Sequence, residues 1–296
     1  MPSSDFRITQ STVSRRVMEN LQNNLSRLGK LQGQISSLKV LQRPSDSPVA
    51  AVSALRLRGD LARNEQVSRN IDDALGWLGT ADNTLTVIVE QIQRVRELAV
   101  TGRNAPLDAA AREGLAMEVE KIRETIVGLA NTRYGDRPVF GGTVSGSIAY
   151  DPTASFVGNA TAIERTVAPG VRVQVNVTGE DVFGPTGNDL FVQLSQIANA
   201  LRTAPSQLDT LVATFDTSTR TIQSNLAEVG ARYKRVETMK DRNDVGALTM
   251  KQDLSAVEDV DLAKAVMDLQ MQETAYQAAL QATARVIQPS LVDFLR

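Results

Sequence analysis

The densest group of residues able to hold a cation or move a proton is the run "VEDVD", with Glu258, Asp259 and Asp261. Such carboxylates could bind Ca²⁺ or Mg²⁺, but the run lacks the glycine turn and regular ligand spacing of a calcium loop. A first-turn acidic cluster, favoured by the helix dipole, accounts for it more simply. Trp77, flanked by Gly76 and Gly79, could line a ligand pocket. The simpler reading packs it beside Leu78, with glycines that allow close helix approach at ~1 kcal/mol each relative to alanine. "VFGGT" and "FGPTG" lack the lysine and the strand-to-helix setting of a phosphate cradle. The chain has no Cys and no His, which removes thiolate nucleophiles, imidazole bases, disulfide frameworks and nearly every zinc site. Ser/Lys or paired-carboxylate catalysis is compatible with the composition, but no arrangement in the sequence supports it. No catalytic, metal-binding or cofactor-binding residue is assigned, no cofactor is expected, and the chain reads as a non-enzyme.

The elements that would position such residues point elsewhere. Of the 296 residues, 42% are apolar but only 4% aromatic, with a single Trp. Leu, Ile, Val and Ala in those proportions build helix seams more readily than a thick globular core. A net charge of −2 gives no reason to expect nucleic acid or an anionic membrane as partner. The opening "MPSSDFRITQ" has no basic segment leading into an apolar one, so no Sec-type signal is expected. No uncharged apolar run approaches the roughly 18 residues of a membrane span.

Helical periodicity dominates both ends and fails in the middle. Steps of four and three from residue 17 land on Val17, Leu21, Asn24, Leu28, Leu31, Ile35 and Leu38, a heptad rhythm with one polar member. Asn24 either fixes register or sits at a solvated edge. A second run is apolar throughout: Val67, Ile71, Ala74, Leu78, Ala81, Leu85, Ile88, Ile92, Val95 and Ala99. A helix over 64–101 would be roughly 57 Å long, the length of a coiled-coil arm. Pro44 cannot sit inside the first helix, and Ser47 followed by Pro48 reads as an N-cap with a first-turn proline. Gly102 is expected to stop the second helix, and Asn104 to Pro106 to restart the chain. A third helix holds Leu115, Val119, Ile122, Ile126 and Leu129, and the short connection predicts an antiparallel hairpin.

Residues 133–187 change character. In "VRVQVNV", Val171, Val173, Val175 and Val177 alternate on one face of a half-buried strand, among segments rich in Gly, Pro and Asp. Helical rhythm then returns with Leu190, Leu194, Ile197 and Leu201, breaks at Pro205, and resumes at Leu208, Leu211 and Phe215. A last helix holds Leu262, Val266, Leu269, Tyr276, Leu280 and Ile287, followed past Pro289 by Leu291, Phe294 and Leu295. The fold class is mainly α with a β-rich insert. The simplest arrangement is a long antiparallel helical or coiled-coil rod, with discontinuous domains formed by both chain ends and a small β domain at the far tip. The expected divisions are 1–43 with 252–296 as a terminal coiled-coil assembly domain, 44–132 with 188–251 as a helical rod domain, and 133–187 as the β-rich inserted domain.

The two ends carry opposite charge. Residues 1–63 hold ten Lys/Arg and four Asp/Glu; residues 241–296 hold five and nine. That favours pairing of the first and last helices, within one chain or between neighbours. Residues 17–42 contain only four charged residues against ten Ser, Asn or Gln, and residues 269–288 only Glu273 and Arg285. A solvated helix carries interspersed Glu and Lys on its free side, whereas charge depletion on several faces is the composition of a buried interface. The apolar stripe at the chain end is therefore expected to be completed by neighbouring subunits. The assembly residues assigned on this basis are Val17, Leu21, Leu28, Leu31, Ile35 and Leu38 at the N-terminal end. At the C-terminal end they are Leu262, Val266, Leu269, Tyr276, Leu280, Ile287, Leu291, Phe294 and Leu295.

The stretch from "LGKLQGQISSLKVLQRPSDSPVAAV" to "QIQRVRELAV" resembles the N-terminal region shared by bacterial flagellins and hook–filament junction proteins, and "EDVDLAKAVMDLQMQETAYQAALQATARVIQPSLVDFLR" resembles their shared C-terminal region. "RPSDSPV", "DRPVFGGT" and "VNVTGEDVFG" look like the junction branch, with Leu38 standing where flagellins typically have glycine. The resemblance implies a structural, non-catalytic component of the bacterial flagellum, a hook-associated protein that self-assembles through its terminal helices into a helical adaptor ring joining hook to filament. It implies homo-oligomerisation and, as partners, a companion hook-associated junction protein, flagellin, a flagellar export chaperone and the type III export apparatus. The implied location is extracellular, at the hook–filament junction, reached without a cleaved signal peptide. A filament-forming flagellin would share the fold. A cytoplasmic coiled-coil signalling scaffold would instead show charged outer faces, and an enzyme with a coiled-coil stalk would show a convergent polar pocket in the insert.

Overall fold

The computed structural model describes residues 10–104, 107–144, 146 and 148–287, with the side chains of 10, 11, 13, 14 and 285–287 outside the description. The fold is mainly helical. Long antiparallel helices bring the N-terminal and C-terminal segments together, and a small β region lies between them in sequence. The elements are α1 (Gln10–Ser37), α2 (Pro48–Asn104), α3 (Ala109–Ala130), β1 (Arg133–Tyr134), β2 (Arg137–Pro138), β3 (Glu164–Ala168), β4 (Val171–Gln174), α4 (Gly179–Phe183), α5 (Leu190–Thr203), α6 (Leu208–Glu258) and α7 (Leu262–Ile287). The chain divides into two compact units, one of residues 1–62 with 248–296 and one of 63–247.

The second unit holds the core. Nine of the ten α2 positions in the apolar run, Ile71 through Ala99, are fully buried, and Val67 packs at their edge. The facing part of α6 contributes Phe215, Ile222, Val229 and Val236, each seven residues after the last, a spacing that keeps one stripe on the seam. Cross-helix pairs fix the antiparallel register. Asn64 Nδ2 donates to Asn243 Oδ1 at 2.9 Å, Lys240 pairs with Asp72 at 2.8 Å, Arg96 with Asp216 at 2.9 Å, and Arg103 with Asp209 at 2.6 Å. α3 and α5 pack on one another through Ile122, Ile126, Leu194 and Leu201. Arg202 fastens that pair, with Nε to Glu113 at 2.8 Å and Nη1 to Glu120 at 2.5 Å. Both carboxyls are held below the usual glutamate range, first by their hydrogen bonds to Arg202.

Helix boundaries follow local chemistry at most ends. Pro48 opens α2 behind Ser47, whose carbonyl accepts from Ala51 N at 2.9 Å. Asp108 caps α3 and Asp189 caps α5, each through a carboxylate that accepts a backbone N–H three residues on. Pro205 opens a single 3₁₀ turn before α6. Gly102 corrects one expectation. It does not stop α2, which continues to Asn104; it is a packing position, because a Cβ there would lie 2.1 Å from Leu201 Cδ2. Likewise a Cβ on Gly76 would strike the Tyr134 ring, which meets buried Trp77 edge-on with centroids 5.6 Å apart. Trp77 is thus a core residue wedged against β1.

The β region consists of two antiparallel hairpins, β1–β2 and β3–β4, joined by irregular chain. Val173, Val175 and Val177 are buried on one face, and Val171 is half-buried. Side-chain amides replace much of the missing ladder. Asn131 accepts from the backbone N–H of Ala149 and Tyr150 and donates to the Tyr150 carbonyl. Asn176 accepts from Ile163 N at 2.7 Å and donates to the Thr161 carbonyl at 3.0 Å. An aromatic cluster of Phe140, Tyr150, Phe183 and Phe191 anchors the region, and burial pushes the Tyr150 hydroxyl pKa well above its ordinary value.

Candidate assembly interface

The unit made by the chain ends is built differently. α1 and α7 run antiparallel, with Gln272 Nε2 donating to Asn24 Oδ1 at 3.3 Å across the seam. Asn24 is thus half-buried on the seam and accepts a hydrogen bond from the facing helix. Val17, Leu21, Leu28, Leu31 and Ile35 of α1 are half-buried, as are Leu269 and Tyr276 of α7. Leu262, Val266 and Leu280 are exposed. Leu38 lies beyond the end of α1 and is exposed. Its φ of 56° falls in the left-handed region that glycine occupies freely and a leucine does not. Ile287 ends α7 with its side chain outside the description, and Leu291, Phe294 and Leu295 lie outside the described residues.

Beside this seam the breaks in both long segments meet. Val40 N donates to the Glu258 carbonyl at 2.7 Å and Val260 N to the Leu38 carbonyl at 3.1 Å, a short backbone bridge. Glu258 is buried and pairs with Arg58 at 2.8 Å and Lys39 at 3.4 Å; Lys39 also reaches Asp259 at 2.5 Å. The bond to Asp259 raises the Lys39 pKa, and Asp259 is held below the usual carboxylate range, first by Lys39 and then by Ser255. Asp261 caps α7, its carboxylate accepting from Lys264 N at 3.1 Å. The "VEDVD" carboxylates thus divide between a salt-bridged clasp and a helix cap. Among the described residues no group of three or more acidic side chains could hold a metal ion.

The sequence reading missed the other faces. Among the described residues, no Leu, Ile, Val, Met or aromatic side chain of this unit is buried; its only buried apolar residues are Ala51, Ala54 and Ala265. Thirteen of the eighteen large apolar side chains that remain exposed among the described residues belong to it, although it is the smaller unit. They include Met18 and Leu25 on α1, Val49, Val52 and Leu55 on α2, Leu248 on α6, and Met267 and Met271 on α7. Each sits off the heptad seam. The available signal was the scarcity of charge over residues 17–42 and 269–288, which marked parts of α1 and α7 without marking the residues and gave no sign of those on α2 and α6.

Comparison with known proteins identifies the architecture. The bacterial flagellin N-terminal helical region matches residues 8–144, and the bacterial flagellin C-terminal helical region matches residues 212–295. The chain belongs to the flagellin family. As a member of that family it is a structural protein and not an enzyme. Flagellar hook-associated protein 3 of Escherichia coli K12 is 27% identical over 291 residues, spanning 90% of this chain and 92% of the relative. The flagellin of Bacillus subtilis is 24% identical over 311 residues, spanning 98% and 100%. Among solved structures, FlgL from Bacillus cereus superposes with a TM-score of 0.61 at 21% identity, over 68% of this chain and 99% of that one. The flagellar junction protein from Legionella pneumophila gives 0.59 at 15% identity, over 70% and 99%. These superpositions establish a shared fold. Among the described residues no helix is long and apolar enough to cross a membrane.

Proposed function

We propose that this flagellin-family protein is a hook-associated junction component that assembles with copies of itself through the chain-end unit, as an adaptor ring between hook and filament. The observation that carries the reading is the imbalance between the two units: one has a closed apolar core, and the other keeps most of the exposed large apolar side chains among the described residues. Fully burying such a side chain is worth about 1.5–3 kcal/mol, so stacked copies have a driving force that a single copy leaves unused. The assembly residues are those of the α1 and α7 stripes, joined by the off-seam Met18, Leu25, Met267 and Met271. In this reading 1–43 with 252–296 acts as the assembly part, 44–132 with 188–251 as its helical support, and 133–187 as an insert. The companion junction protein and flagellin are the neighbours on the two sides, and the chain reaches its extracellular place through an export chaperone and the type III apparatus. Likeness to hook-associated protein 3 over nine-tenths of both chains supports this choice.

A filament flagellin is the second reading, favoured by the full-length similarity to the Bacillus subtilis protein. A signalling scaffold is disfavoured, because it needs charged outer faces where this unit presents Met, Leu and Val. Deletion of residues 273–296 is expected to leave 63–247 folded while abolishing incorporation into flagella. Flagella of ordinary appearance from cells carrying only the truncated chain would refute the assembly role. Immunogold labelling at the filament base, and not along its length, separates the junction reading from the flagellin one.

A further inference from the structure

Nothing in the residues just after Ser37 stops a helix. Leu38 to Gln42 include no Gly, Pro or short polar capping residue, and the first obstacle is Pro44, which disfavours helical backbone at Arg43. Leu38 also continues the α1 stripe, three places after Ile35. Yet α1 ends at Ser37, and Leu38 is turned out at φ 56°, where a side chain is disfavoured. Local support for that turn is slight: Gln34 Nε2 donates to the Val40 carbonyl at 3.1 Å and Lys39 N to Ser37 Oγ at 3.3 Å, both at exposed positions. The stronger hold comes from the turn between α6 and α7. There the Leu38 carbonyl accepts from Val260 N, Val40 N donates to the Glu258 carbonyl, and the Lys39 ammonium reaches both Glu258 and Asp259. The buried Glu258 carboxylate is also paired with Arg58 from the second turns of α2. A strained residue in a stretch that allows a helix persists only while such contacts outweigh the strain.

We propose that the Glu258 clasp is a latch on a two-state helix end. Closed, it holds Leu38 in the left-handed conformation and stops α1 at Ser37. Open, α1 runs on by one turn and Leu38 rejoins its stripe. The Leu38 carbonyl then accepts from the N–H of Gln42, four residues on, and Val260 loses its bond. Only Arg43 to Ser47 would remain to connect the longer α1 to α2, so the direction in which the chain passes from one to the other has two settings. The stimulus is ionic strength. The Lys39 and Arg58 side chains are 43% and 60% exposed, so dissolved salt screens their hold on the carboxylates. The helical hydrogen bonds that compete with the clasp join uncharged groups and are not screened.

The test uses the full-length protein labelled with ¹³C and ¹⁵N. It follows the Cα shifts of Lys39, Val40 and Leu41 and hydrogen exchange at the Val260 amide, referenced to the buried Ile88 of α2. Glu258→Gln keeps the shape of the side chain and removes its charge. It is expected to speed Val260 exchange about 10- to 100-fold and to move the three Cα shifts toward helical values. Raising NaCl from about 0.05 to about 1 M is expected to speed wild-type Val260 exchange about 2- to 5-fold. Leu38→Gly favours the closed form twice over, since glycine adopts φ 56° freely and is a poor helix former. It is expected to slow wild-type Val260 exchange about 10-fold or more, and to return Glu258→Gln to non-helical shifts. The proposal is overturned if the shifts in Glu258→Gln stay unchanged or move to random-coil values, if salt leaves wild-type exchange unchanged, or if Leu38→Gly fails to slow it. Should Glu258→Gln not fold, the salt and Leu38→Gly measurements decide by themselves.

Discussion

Replacing Met267 and Met271 together by Gln separates stability of the single chain from assembly. The two side chains are 60% and 68% exposed, so the isolated molecule draws little from them. Full burial of a Met side chain is worth about 1.5–3 kcal/mol, and the fraction still exposed leaves about 1–2 kcal/mol per residue to be gained on assembly. Glutamine forfeits that gain, so the double substitution is expected to weaken each subunit contact by about 2–4 kcal/mol, roughly 30- to 700-fold. The folded chain alone is expected to lose less than about 1 kcal/mol, because surface substitutions of this kind leave the core untouched. The assay is competition. Wild-type and variant chains are co-expressed, and their ratio in purified flagella is compared with their ratio in the secreted, unassembled pool, while urea denaturation reports on the single chain. Equal representation in both fractions would refute the claim that these faces are completed by neighbours. Unfolding of the isolated variant at markedly lower urea would show instead that α7 depends on them internally.

Gly102→Ala is expected to destabilise the second unit by about 1–3 kcal/mol, because the new methyl would lie 2.1 Å from Cδ2 of the fully buried Leu201, which must shift within the core to admit it; an unchanged urea midpoint would contradict this. Acid sensitivity is expected from Arg202. Glu113 and Glu120 have folded pKa values below their ordinary 4.5, so the stability they confer is complete above that value and is lost as pH falls through the depressed ones. Denaturation midpoints from neutrality down to pH 3 should therefore fall more steeply for the wild type than for Arg202→Met, and parallel curves would exclude the clamp as the cause.

Much of the helical framework is determined by local sequence. A residue's position on a helix face follows from 3.6-residue geometry alone, so the α2 run that reads as apolar is the same run that is buried, from Ile71 to Ala99. Caps are equally local, since Ser47 and Pro48 need only the next turn to act. Kinship with flagellins was legible because both end regions keep recognisable runs. Tertiary structure alone decided the roles that depend on distant partners. Gly102 looks like a helix stop until Leu201, ninety-nine positions away, is seen against it. Glu258 reads in sequence as a first-turn helix acid, but it is the last residue of α6, held there by Arg58 and Lys39. The exposed methionines of α7 belong to the same class: periodicity tells which residues share a face, and only the fold tells whether that face has found a partner.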